Sequence, residues 1–213
     1  MPRPRLPVDF RLYLITDRHQ ARGNLLDRVE QALSGGIKAV QLREKDLVSR
    51  ELFELATEMR KLTAQYGALL FINDRIDIAL AVDADGIHLG GDSIPLYKAR
   101  HLVGKNKMIG VSCHNQISAM NAQDKGADFI TYGPVFYTPS KAQYGEPLGL
   151  SKLKQVTESL TIPVFGLGGV TLDNAHQVMA AGTHGISLIS AVLAADRPQQ
   201  AAESLIARLN GAV

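Results

Sequence analysis

The chain predicts a (β/α)8 barrel, and three observations predict it. Eight short apolar runs of strand length recur along the 213 residues, each followed by a stretch with helical periodicity. The runs are continuous in Val, Ile and Leu, which suits parallel strands covered on both faces, and right-handed crossovers supply that cover. The competing open doubly wound sheet wants a Gly-x-Gly-x-x-Gly turn after its first strand, where this chain has Thr16-Asp17-Arg18. The length suffices for one well-buried core and nothing reads as a linker. Residues 1–213 are therefore expected to form a single barrel domain, with 1–10 as a loose arm.

Taken in order, Leu12-Tyr13-Leu14-Ile15-Thr16 is the first strand, and Asn24 caps a helix through Leu33 that Gly35-Gly36 ends. Ala39 to Arg43 follows, then a helix from Ser49 to Gln65 with Leu52, Phe53, Leu55, Ala56, Met59 and Leu62 at helical spacing, stopped by Gly67. Leu69 to Ile72 leads to a helix from Ile76 to Val82. Gly86 to Leu89 leads to a helix containing Leu96, Ala99 and Leu102, and Met108 to Val111 to one ending near Lys125. Asp128 to Tyr132 is the sixth strand, after which Ser151 is expected to cap a helix to Ser159. Pro163 to Leu167 precedes a helix capped by Thr171, and Gly185 to Ile189 precedes a last helix from Arg197 to Leu209.

Lys and Arg number 23 against 21 Asp and Glu, so a net charge of +2 argues for neither a nucleic-acid surface nor a membrane patch. A small charged ligand remains compatible with it. A single cysteine, Cys113, excludes an intrachain disulfide and a multi-cysteine zinc knuckle, and suits a reducing cytoplasm. The start, Met1 to Pro7, is basic with no apolar run behind it, unlike a signal peptide or a transmembrane start.

Barrel enzymes carry their reactive groups at the carboxyl ends of the strands. Here those ends hold Gln41, Arg43 and Lys45; Asn73 and Asp74; His88; Ser112 and His114; Thr138, Ser140 and Lys141; Gly168 and Gly169; and Ser190. Hydroxyls and cations around one carboxylate suit a phosphate or diphosphate, with Asp74 able to hold a divalent cation against it. Gly133 to Lys141 delivers two hydroxyls and an amine straight from a strand; taken alone, a polar loop with a snorkelling lysine is the preferred reading of it, and the other strand ends decide. Gly168-Gly169 and Ser190 stand where barrels often cradle phosphate on backbone N–H groups, and phosphate binding is preferred there over a mere tight turn. Arg43 and Lys45 alternate onto one side of an extended strand, while Glu44 is free to pair with a neighbour. Asn73-Asp74 also suits an Asx turn opening the next helix. His88 and His114 lack zinc spacing and read as buried, hydrogen-bonded histidines; Cys113 reads as a small core residue.

Six segments in this order resemble the thiamine-phosphate synthase family, which includes thiazole tautomerases: Gln41-Leu42-Arg43-Glu44-Lys45, Asn73-Asp74-Arg75, Asp85 to Gly90, Gly110-Val111-Ser112, Gly133 to Lys141, and Gly168-Gly169-Val170. The resemblance implies a (β/α)8 barrel that joins hydroxymethylpyrimidine diphosphate to a thiazole or carboxythiazole phosphate and releases diphosphate with Mg2+. It implies that Gln41, Leu42, Arg43, Glu44, Lys45, Asn73, Ser112 and Lys141 hold the pyrimidine diphosphate, with Arg43, Lys45, Ser112 and Lys141 as the catalytic set. It further implies that Thr138, Pro139, Ser140, Gly169, Ile189 and Ser190 hold the thiazole phosphate, and that Asp74 binds magnesium. The partners are then small phosphorylated substrates rather than nucleic acid or membrane, and self-association is compatible with such a barrel.

The chain departs from the family at Gly90-Gly91-Asp92-Ser93, where the pattern is Gly-Gln-Glu/Asp-Asp. Ser93 stands at the second metal-ligand position, and Asp92, one residue earlier, is the substitute. Two other readings follow from that change: a thiazole tautomerase, which needs no diphosphate or metal ligands, and a non-catalytic sensor of thiazole or thiamine phosphate. Retention of Gln41, Lys45, Asn73, Asp74 and Lys141 favours the synthase. The segment from Ala142 to Pro147, polar and hinged at Gly145, is the expected lid.

Overall fold

The computed structural model describes residues 7–138 and 146–211. Eight parallel strands close into a barrel in sequence order: β1 (Leu12–Ile15), β2 (Ala39–Leu42), β3 (Leu69–Asn73), β4 (Gly86–Leu89), β5 (Met108–Cys113), β6 (Phe129–Tyr132), β7 (Val164–Leu167) and β8 (Gly185–Leu188). β8 pairs back onto β1, with Ser187 opposite Tyr13. The helices among the described residues are α1 (Leu25–Ser34), α2 (Ser49–Gln65), α3 (Ile76–Ala81), α4 (Leu96–Val103), α5 (Gln116–Asp124), α6 (Gly149–Ser159), α7 (Ala175–Ala180), the one-turn α8 (Ser190–Leu193) and α9 (Pro198–Asn210).

Strand alternation divides the core in two. Outward residues such as Leu14, Val40, Leu42, Ile72, Ile87, Ile109, Cys113 and Ile130 pack against the helices. Inward residues fill the barrel, where Phe10, Tyr13, Phe71, Phe129 and Phe165 form a ring cluster with centroids 5.1–6.1 Å apart. Glycines on neighbouring strands make the room: a Cβ on Gly110 would lie 2.5 Å from both the Phe129 ring and His88 Nδ1. Residues 1–6 of the expected arm lie outside the described residues. Phe10, assigned to that arm, is instead buried at 2% exposure as the plug of the barrel's amino-terminal end. An aromatic ring there gains more by filling the barrel than by trailing in water.

Two aspartates tie that end together. Asp85 Oδ2 accepts from Leu70 N–H (2.7 Å) and from Arg60 of α2 (2.6 Å), while Asp128 Oδ2 accepts from Ile109 N–H (2.7 Å) and from Arg100 of α4 (2.5 Å).

Asn24 caps α1 as expected, accepting from Leu26 and Asp27 N–H, and α2 spans the expected residues. Two expected caps are wrong. α6 starts two residues before Ser151, because Leu148 and Gly149 N–H donate to the Pro134 and Val135 carbonyls (2.8 and 3.1 Å) and need no side-chain cap. α7 starts at Ala175 rather than after Thr171, because Asn174 holds the preceding loop: its Oδ1 accepts from Thr171 N–H (2.8 Å) and its Nδ2 donates to the Gly169 carbonyl (2.9 Å). Leu102 is exposed, one step off the buried stripe of Leu96, Ala99 and Val103.

Candidate active site

The carboxyl ends of the strands form one polar rim, and its best-built part joins β1 to β2. Thr16, fully buried just past β1, accepts from Arg43 N–H at 2.9 Å and donates to Glu44 Oε1 at 2.6 Å. Glu44 Oε2 also accepts from the Arg18 backbone N–H (3.1 Å) and guanidinium (3.3 Å). Arg18 then grips Asp46 through two bonds of 2.6 Å, and His19 Nε2 lies 2.9 Å from the same carboxylate. The Arg18 guanidinium, with the His19 ring beside it, holds the Asp46 carboxyl well below the usual carboxylate range. This clamp fixes the backbone that carries Arg43.

Arg43 is half-buried just past the end of β2, and its charge adds to the burial that disfavours a charged His88. Lys45 is exposed two residues on. The expected alternation of the two does not apply, because β2 ends at Leu42 and the chain turns. Glu44 is the neighbour-pairing residue, with its carboxylate engaged in the clamp. Leu42 is fully buried among the helices, which leaves only its backbone for a ligand.

Below the rim a polar chain crosses the barrel interior. Gln41 Nε2 donates to Tyr13 Oη (3.2 Å), Tyr13 Oη lies 3.4 Å from His88 Nδ1, and His88 Nε2 lies 3.0 Å from Ser112 Oγ. Thr131 Oγ1 sits 3.4 Å from both His88 Nε2 and Ser112 Oγ. His88 is buried and hydrogen-bonded, as expected; burial, with Arg43 adding to it, lowers its pKa from 6.5 to about 3. Burial likewise pushes the Cys113 thiol up to about 12, in keeping with a core residue facing the helices. His114 corrects the expectation: it is exposed, with Nδ1 2.6 Å from the Gly133 carbonyl oxygen, because it lies beyond the end of β5.

At the end of β3, Asn73 is half-buried and Asp74 exposed. Asp74 takes a left-handed backbone (φ 65°), and its N–H donates to the His88 carbonyl at 2.9 Å, which locks β3's end against β4. No Asx cap forms: the turn is closed by Arg75 N–H to the Asn73 carbonyl (2.7 Å), and α3 begins without a side-chain cap. Asp77 is exposed and paired with Arg75. Ser93 Oγ accepts from Gly90 N–H at 2.7 Å, closing the loop after β4, and Asp92 is exposed beside it.

On the opposite side, the loop after β6 lies across the end of β7. Val135 and Phe136 N–H donate to the Leu167 and Gly168 carbonyls (2.8 and 3.0 Å). Gly168 and Gly169 both adopt positive φ, and Cβ atoms there would lie 2.6 Å from Pro134 and from the Tyr137 carbonyl oxygen. The glycines are thus required by this close approach of another loop, which neither the phosphate cradle nor the tight turn expected from sequence describes. Thr138 and Ile189 are half-buried and Ser190, exposed, opens α8 rather than ending β8. Pro139, Ser140, Lys141 and most of the expected lid, 142–145, lie outside the described residues.

The thiamine monophosphate synthase family model matches residues 12–192. The chain belongs to the thiamine monophosphate synthase family. It is 56% identical to a Geobacter sulfurreducens relative over 203 residues, 95% of each chain. It is 44% identical over 201 residues to the thiamine-phosphate synthase of Clostridium novyi, covering 94% of this chain and 98% of that one. The solved thiamine phosphate pyrophosphorylase from Pyrococcus furiosus superposes with a TM-score of 0.88 at 39% identity, over 96% and 97% of the two chains.

Among the described residues of this family member, no three His, Cys, Asp or Glu side chains converge as an all-protein metal site. The donor set fits Mg2+ in a different way. A magnesium ion takes one or two carboxylates and completes its shell with water and ligand phosphate, and the exposed Asp74 and Asp92, on the neighbouring loops after β3 and β4, are carboxylates of the kind such a shell uses.

Sequence reasoning missed Tyr13, Thr16, Arg18 and Thr131. Tyr13 and Thr131 carried only a weak signal, a hydroxyl inside an otherwise apolar strand run. Thr16 and Arg18 carried none, because their partners lie 26–28 residues away.

Proposed function

We propose that the chain is a thiamine-phosphate synthase, which condenses hydroxymethylpyrimidine diphosphate with a thiazole phosphate and releases diphosphate. The observation that carries this reading is the Thr16–Glu44–Arg18 clamp, which fixes the backbone that carries Arg43 at the rim of a barrel whose interior just below is polar. The aminopyrimidine ring can delocalise positive charge, so its methylene–oxygen bond breaks with both electrons leaving on diphosphate, and the thiazole nitrogen then bonds the methylene carbon. No general base is needed. Arg43, Lys45 and Lys141 stabilise the departing diphosphate; Asn73 and Ser112, with Gln41 on the floor, orient the pyrimidine. Thr138, Pro139, Ser140, Gly169, Ile189 and Ser190 hold the thiazole phosphate.

Asp74 with Ser93 or Asp92 would hold Mg2+, which supplies charge neutralisation on the diphosphate. The single cysteine suits work in a reducing cytoplasm.

The test is to supply both substrates with Mg2+ and follow diphosphate, then to supply the carboxythiazole phosphate alone and follow isomerisation. Diphosphate release that needs both substrates is expected; isomerisation without it identifies a tautomerase, and binding without either product a sensor. Ser93→Asp should lower the Mg2+ concentration for half-maximal rate several-fold, roughly the gain from one added carboxylate ligand. An unchanged magnesium requirement removes residue 93 from the metal site.

A further inference from the structure

We infer that Tyr13 and His88 are positioning residues that set one proton direction through the inner hydrogen-bond chain, so that Ser112 presents its hydroxyl to the ligand as an obligate donor. The inference rests on the proposed synthase reading for the identity of that ligand.

The direction follows from counting donors. Gln41 Nε2 gives a proton to Tyr13 Oη, so the phenol's own proton must go elsewhere, and the His88 Nδ1 atom is the partner within reach at 3.4 Å. Nδ1 is then an acceptor, and the ring carries its proton on Nε2, facing Ser112 Oγ at 3.0 Å. Were both ring nitrogens protonated, Tyr13 Oη would meet two donors and its own proton would have no acceptor. Thr131 Oγ1 donates to the same Ser112 oxygen. With both lone pairs of Ser112 engaged from below, its proton turns upward into the barrel mouth.

A ligand ring set against Ser112 must therefore offer an acceptor, as a pyrimidine nitrogen does and a C–H does not. The Gln41 amide is oriented by the same chain. Spending an N–H on Tyr13 turns its carbonyl oxygen away from that phenol, as an acceptor for an exocyclic amino group. His88 is locked in place by fit as well as by bonding, since a Cβ on Gly110 would strike its ring.

The full chain, labelled with 15N-histidine and free of substrate, tests the proton order by long-range 1H–15N correlation, with His88→Gln assigning the signal. The expected spectrum shows His88 as the Nε2–H tautomer; the Nδ1–H tautomer overturns the inference. Tyr13→Phe keeps the ring in the aromatic cluster and removes only the hydroxyl. It should raise KM for hydroxymethylpyrimidine diphosphate about tenfold, equivalent to ~1.4 kcal/mol, while KM for the thiazole phosphate stays within about twofold. Equal rises in both, or in neither, count against a directed donor. Because the spectrum needs no substrate, it stands or falls separately from the synthase reaction: absent diphosphate release would sink the function and leave the tautomer to be read.

Discussion

The two ends of the barrel are made by the same strands, two residues apart, and differ in chemistry on most of them. At the amino-terminal level the inward positions are Tyr13, Phe71, Phe129 and Phe165, with Gly86, Gly110 and Gly185 leaving them space. One inward step later Asn73, His88, Ser112, Thr131 and Ser187 follow, joined by Gln41 of β2, while Ile15 and Leu167 keep β1 and β7 apolar. The lower level plugs the barrel through apolar contact; in the upper one Gln41, His88, Ser112 and Thr131 are joined by hydrogen bonds, with the Tyr13 hydroxyl reaching up into them. Stability and recognition are thus separated along the strand axis, and a substitution should affect mainly the level that it touches.

The largest effect should come from the plug. Phe10→Ala should cost about 3–5 kcal/mol of stability, as truncation of a buried aromatic does, while KM for both substrates stays unchanged wherever the variant is folded; chemical denaturation and steady-state kinetics check the pair, and a shifted KM would break the separation of levels. On the rim the converse is expected. Arg43→Ala should lower turnover about 10²- to 10³-fold, the scale of one lost electrostatic contact in a transition state, with a near-normal melting temperature; near-normal turnover would remove Arg43 from the catalytic set.

Thr16→Val should report on both levels, because it leaves Arg43 N–H and the Glu44 carboxylate each short of a partner. A loss of about 1–3 kcal/mol in stability is expected, together with a several-fold fall in turnover that Arg43→Ala masks in the double variant. Additive losses would mean that the clamp does not act through Arg43.

The effect that vanishes at neutral pH, and the one that sharpens the boundary between levels, is a pH dependence. His88 has a folded pKa of about 3 against an ordinary 6.5. Between those values the unfolded chain takes up a proton that the folded one refuses, so stability is fully present above pH 6.5 and falls as the pH drops toward 3. The slope contributed is about 1.4 kcal/mol per pH unit at most. His88→Gln should flatten the acid limb of the denaturation midpoint by that amount; an unchanged limb would mean that the imidazole is already charged in the native state.

Much of this division was legible in the amino acids. The order of strands and helices follows from apolar runs and their punctuation, and α2 from Leu52, Ala56 and Met59 at helical spacing. The rim residues Arg43, Asn73, Asp74 and Ser112 follow from where the apolar runs stop. The starts of α6 and α7 were not legible, because Pro134, Val135 and Asn174 do the capping work that Ser151 and Thr171 were expected to do. Nor was the fate of Glu44, whose carboxylate closes a clamp with residues on a different loop. Single positions announce a local preference; a bond across 26 or more residues depends on which loops the closed barrel makes neighbours.

The crossing of the β6 loop over Gly168 and Gly169 has a consequence for engineering. With no space for a side chain between the two segments, neither can be exchanged alone. A graft of residues 133–138 from a different barrel would have to bring its own partner residues at 168 and 169, and libraries that vary one segment against a constant other should return few folded members.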